Sequence, residues 1–98
     1  MIIHFETTDR DKILDDIIDA MGDRALSKIV NFTMDSGTLT VTISKVGTSK
    51  LHFSESEWDS GLRYELSKEK IALSHKAFKD EVTKKILNVI EQAGGSIA

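Results

Sequence analysis

From Ile29 to Leu73 the chain runs through short stretches in which apolar and polar residues alternate, with a helical pattern on either side. Period-two alternation describes a sheet that is buried on one face and wet on the other. The flanking amphipathic segments then have a surface to cover. This pattern predicts an α+β fold, a two-layer sandwich of an antiparallel sheet with about five strands and two helices on one face. The expected order is β-α-β-β-β-β-α, as a single domain over residues 1–98.

Ile3 and Phe5 alternate with His4 and Glu6 as a short first strand. Thr7-Thr8-Asp9 offers caps for a helix to about Met21, Thr8 and Asp11 have the spacing of a capping box, and Gly22 supplies a left-handed stop. Ile13, Leu14, Ile17, Ile18 and Met21 form the helix's apolar stripe. Leu26, Val30, Phe32 and Met34 follow on one parity, and Asp35-Ser36-Gly37 turns the chain into Leu39, Val41 and Ile43. Gly47-Thr48-Ser49 reads as a second turn, before Leu51 and Phe53 in the next strand. Trp58-Asp59-Ser60-Gly61 reads as a third, before Leu62, Tyr64 and Leu66.

Between Glu65 and Leu73 the apolar parity shifts. A bulge, a tight turn into another strand, or a short helix each account for it. Ser74 caps a final helix to about Gln92, ended by Gly94-Gly95, with Phe78, Val82, Ile86, Val89, Ile90 and Ala93 buried. The order of elements resembles one repeat of the TATA-box-binding saddle, a likeness of topology that carries no shared motif and implies nothing about function.

Composition excludes several classes. The formal net charge is −3, and no basic stripe is evident, which argues against nucleic acid and anionic membranes as partners. The excess acid lies in the first third, where eight acids face four bases. No cysteine is present, so there is no disulfide framework and no thiolate chemistry. No apolar run approaches the roughly 18 residues that span a bilayer, and the N-terminus lacks the basic and small-residue signature of a signal peptide. These features predict a cytoplasmic protein.

Three surfaces are candidates for contact. Asp11, Asp15 and Asp19 recur every fourth residue and stack into a ridge on the first helix. Like charges at that spacing oppose helix formation, so the ridge serves either solubility or a basic partner. Two helix carboxylates alone do not fill a calcium or magnesium shell, so no metal site is expected there. Asn31, Thr33, Thr38, Thr40, Thr42 and Ser44 give the second candidate, an uncharged polar sheet face that is cheap to desolvate. Threonine's preference for strands accounts for the same residues without any partner. The third is the loop Glu55-Ser56-Glu57-Trp58-Asp59, an aromatic with a charged rim. Trp58 is expected to fold back over a core edge, as large aromatics usually do.

His4, His52 and His75 have no second ligand at metal spacing and read as strand or cap residues. No nucleophile elbow, phosphate loop or dinucleotide fingerprint occurs, and no catalytic, cofactor or metal residue is expected. The reading is a small non-enzymatic interaction or regulatory module whose partner is another protein, basic if it meets the ridge, or a second copy forming a homodimer. The alternative is a small-molecule-binding domain or enzyme with a pocket between sheet and helices.

Overall fold

The computed structural model describes residues 1–22 and 25–98. Asp23 and Arg24, counted above in the acidic first third, lie outside the described residues. The elements are β1 (Ile2–Phe5), α1 (Arg10–Met21), a 3₁₀ turn (Ala25–Lys28), β2 (Val30–Asp35), β3 (Thr38–Ser44), β4 (Thr48–Trp58) and β5 (Gly61–Lys70). A second 3₁₀ turn (Leu73–His75), α2 (Lys79–Gln92) and β6 (Ser96–Ile97) complete the chain. The strands form one antiparallel sheet in the order β2-β3-β4-β5-β1-β6. The expected α+β sandwich is therefore present. The two-residue β6 is the addition, paired with β1 through Ile3–Ile97 and His4–Ser96.

Alternation sorts the sheet into two faces. Leu39, Val41 and Ile43 are buried on β3 while Thr38, Thr40 and Thr42 point the other way and stay half-buried. Ile13 and Ile17 of α1 and Val82, Ile86, Val89 and Ile90 of α2 join the buried strand residues in one core, so both helices cover the same face. Burying such a set of aliphatic and aromatic side chains contributes on the order of 2 kcal/mol each before chain entropy is subtracted.

Asp9, not Thr8, caps α1, and its carboxylate accepts the Lys12 N–H at 3.1 Å. The Thr8–Asp11 capping box does not form: Lys12 at the third helical position has no acceptor to return, and Thr7 Oγ1 accepts the Asp9 N–H instead. Gly22 stops the helix as expected, at φ 55°, with its N–H on the Ile18 carbonyl. Ile18 does not belong to the stripe and is 47% exposed. At about 100° per residue it sits one step further round than Ile17, beyond the reach of the sheet.

In the β2–β3 hairpin both Ser36 and Gly37 have positive φ, at 43° and 80°, as a two-residue turn of this hand requires. The shift of parity after Glu65 is a bulge. Phe53 pairs with Leu66 and His52 with Lys68, leaving Ser67 as the extra residue in β5. The Ser67 hydroxyl donates to the His52 carbonyl at 3.1 Å and closes the gap.

The second turn falls at Lys45-Val46-Gly47 rather than at residues 47–49, and β4 begins at Thr48. It packs against the turn before α2. Ser74 does not cap α2. Its hydroxyl donates to the Val46 carbonyl, and the helix starts later, at Lys79. The cause is His75, which is buried and holds residues 73–75 against the sheet. Its Nε2 donates to the Lys45 carbonyl at 2.6 Å, and Nδ1 is then left to accept the Ser49 hydroxyl. Ser49 Oγ in turn accepts the Ala72 N–H at 2.9 Å.

Val46, 85% exposed, takes φ 49°, a conformation that is strained for a β-branched residue. Val46→Asn is expected to raise the unfolding free energy by about 1 kcal/mol, because asparagine tolerates this region and no packing is lost. Urea denaturation of the two proteins measures the difference.

Candidate functional site

The uncovered face of the sheet carries the largest set of chemically distinct side chains. Register places four rows on it. Asn31, Thr42, Lys50 and Lys70 form the first, and Thr33, Thr40, His52 and Lys68 the second. Asp35, Thr38, Ser54, Glu65 and Ile2 form the third, and Ser56, Arg63, His4 and Ser96 the fourth. Trp58 stands at the end of β4 beyond the fourth row, paired with Gly61.

The threonine surface read from sequence is therefore only half of the face. On β2 and β3 it is short and mostly hydroxyl-bearing, while β4 and β5 make the other half cationic. Lys50 lies directly across from Lys70, with Lys68 opposite His52, and none of these lysines has an ion pair among the described residues. Like charges directly opposed destabilise a sheet, so this cluster does not serve the fold. Thr40 Oγ1 and His52 Nδ1 are 3.2 Å apart and join the two halves.

Residues 55–58 are strand, not loop, and Trp58 does not pack into the core. It is 39% exposed and stacks on His4, with ring centroids 3.9 Å apart and planes 8° from parallel. His4 is two strands away. The indole reaches it across β5; at the β5 residue paired with Trp58, Gly61, the backbones of β5 and β1 approach so closely that a Cβ would stand 1.8 Å from the Phe5 carbonyl oxygen. Arg63 lies on β5 between the two rings' strands. Its Nη2 is 3.5 Å from Glu65, while its Nε is shielded from solvent with no partner among the described residues. Thr38, Thr40, Thr42 and Trp58 thus share one surface.

Asp11, Asp15 and Asp19 are exposed on α1, on the other side of the sheet. Lys12 pairs with Asp16 at 2.6 Å, and none of the three ridge carboxylates has an ion pair among the described residues. Ridge and face cannot meet a single flat partner together.

Glu55, a rim acid in the sequence reading, points into the covered side, and its side chain is only 7% exposed. Arg10, at the first turn of α1, grips it through Nε at 2.7 and 2.9 Å and through Nη2 at 2.6 Å. The buried Tyr64 hydroxyl donates to the same carboxylate at 2.8 Å. The Arg10 hydrogen bonds, aided by Tyr64, hold the Glu55 carboxyl below the usual carboxylate range against the opposing effect of burial. Burial, then Glu55, push the Tyr64 phenol above its ordinary value. The network fastens the start of α1 to β4 and β5. Nothing in the spacing of Arg10 and Glu55, 45 residues apart, announces it.

Two further arrangements bear on chemistry. The Ser49–His75 contact has the atoms of a nucleophile and base, but both residues are sealed from solvent and the serine hydroxyl is committed at both ends. A groove of about 490 Å³ runs between the Ala25–Lys28 turn and α2, floored by Leu26, Ile29, Phe78 and Val82. Lys45 lies over the Phe78 ring at 5.5 Å, and Lys85, beside Glu81, stands on the rim. Of the polar residues whose inward placement would mark a pocket, Tyr64 is inward but engaged by Glu55, and His52 and Arg63 face outward. Among the described residues no three His, Cys, Asp or Glu side chains gather as metal ligands, and no helix is long and apolar enough to cross a membrane. Compared with known protein families, curated proteins and solved structures, the chain matches none.

Glu55→Ala is expected to cost about 2 kcal/mol, chiefly because the buried Tyr64 hydroxyl loses its carboxylate acceptor and keeps only the weak Met34 sulfur at 3.4 Å. The native carboxyl titrates below its unfolded value, so its contribution is fully present above the unfolded value and is lost as pH falls through the native one. Glu55→Gln should therefore flatten the acid limb of a stability–pH profile, measured by urea midpoints at successive pH values.

Proposed function

We propose that this chain is a non-enzymatic interaction module that receives an acidic segment of a partner protein on the open face of its sheet. The observation that carries the reading is the Lys50–Lys68–Lys70 cluster, which has no ion pair among the described residues and is a local electrostatic cost to the fold that an anionic partner would relieve. Trp58 on its His4 platform supplies an aromatic anchor at the other end of the face, and the threonines of β3 alongside give up water at little cost. A protein segment is favoured over a nucleic acid because the whole chain carries a net charge of −3. That field repels a long polyanion while leaving a short acidic stretch free to dock. The cytoplasmic setting belongs to the same proposal, supported by the cysteine-free composition.

A second reading rests on the groove beside α2. An apolar floor under Lys45 and Lys85 suits an acidic amphiphile such as a fatty acid. This reading requires no contact with Trp58.

Affinity capture from the native cell extract separates these readings from the acidic-ridge alternative. Partners retained by the wild type should be lost with K50E/K68E/K70E and weakened more than about tenfold by Trp58→Ala. They should persist with D11N/D15N/D19N, and binding should fall as salt rises. Loss with the ridge variant, and retention with the lysine variant, would overturn the open-face assignment.

A further inference from the structure

We infer that two copies of this chain join through β2, edge to edge, to make a continuous twelve-stranded sheet from two sets of six. The inference rests on the free edges of the sheet and is independent of what the open face binds. Edge strands are templates for further pairing unless charge, proline, a bulge or shortness blocks them. Each other free edge among the described residues is blocked in one of these ways. β6 has two residues. β5 beyond its pairing with β1 carries the Ser67 bulge, Lys68, Glu69 and Lys70. The end of β4 that outruns β3 carries Glu57 and runs into Asp59. From Val30 to Met34, β2 carries no charge, no proline and no bulge.

The unpaired groups of β2 also complement themselves. Asp35 and Thr38 flank a two-residue turn and form a bonded pair, so Thr33–Thr40 and Asn31–Thr42 are bonded pairs as well. The Ser44 N–H on the Ile29 carbonyl, at 2.7 Å, continues the series. The N–H and C=O groups of Val30, Phe32 and Met34 therefore point out of the edge, and no described residue bonds to them.

A twofold axis at Phe32 sets Val30 against Met34 of the second copy, Phe32 against Phe32, and Met34 against Val30. Each of these three pairs exchanges two hydrogen bonds, and no free group is left over. A shift by one residue would set outward groups against inward ones, and a shift by two would strand a group at each end. In the favoured register Asn31 meets Thr33 of the second copy on the open face, and Asp35 falls opposite Ile29, so no like charges are opposed. The half-buried Met34 gains cover on the other side.

Sedimentation or light scattering of the wild-type chain, with hydrogen exchange across a dilution series, tests the assignment. The expected mass is twice that of the chain. The amides of Val30, Phe32 and Met34 should lose protection on dilution while those of β3 do not. The variant N31K/T33K substitutes two residues that are exposed in the single copy and opposes like charges on both sides of the axis. It should halve the mass while keeping the wild-type circular dichroism. A wild type at the mass of one chain throughout would overturn the inference, including one that pairs only with an added extended peptide. So would a dimer unchanged by the lysine pair. If the variant fails to fold, amide protection at β2 that is insensitive to dilution overturns it equally.

Discussion

The strict alternation of β3, held on both sides in hairpins with β2 and β4, sets the terms for the rest of the molecule. Leu39, Val41 and Ile43 are each central to the core, and the threonines between them are its outer surface. A slip of one residue against β2 or β4 would put three hydroxyls under the helices and three aliphatic side chains in water. Because β3 is bonded on both sides, to β2 over six residues and to β4 over seven, that slip cannot be local. Both helices find their face, and the open side acquires its polar rows, as a consequence of this one register.

Apolar contact alone leaves helices free to slide on a sheet, and here two polar ties prevent it. At one end Arg10, Glu55 and Tyr64 join the first turn of α1 to β4 and β5. At the other, His75, Ser49 and the Lys45 carbonyl join the approach to α2 to the β3–β4 turn. Each tie has an exact donor–acceptor match, so each favours a single arrangement over its neighbours. The His75 tie also explains why α2 begins later than Ser74: residues 73–75 are held in a tighter turn by bonds that point away from the helix axis.

Local rules made most of the framework legible. The hairpin at Ser36-Gly37, the stop at Gly22 and the stripe of α2 are written in neighbouring residues, and those elements lie where periodicity and turn chemistry put them. What was hidden depends on distant partners. Glu55 looks like a surface acid until Arg10 is brought beside it, and His75 looks like a cap until Ser49 and Lys45 surround it. The cationic half of the open face is hidden in the sequence for a different reason. Its lysines share that surface only when β4 is carried on to Trp58 and the extra residue of β5 is placed at Ser67. The size of Trp58 argues for burial over a core edge, whereas its ring finds a partner outside the sheet, on His4 two strands away, that no local rule announces.

The extra residue at Ser67 has an effect out of proportion to its size. Were Ser67 paired in ordinary register opposite His52 instead of bulged, the tail of β5 would keep the parity of Tyr64 and Leu66, which would turn Lys68 and Lys70 beneath the sheet and bring Glu69 outside. The charge over that corner is thus decided by register and not by composition, since the same residues in an unbulged strand would leave Lys50 outside beside Glu69, a neutral pair in place of three lysines.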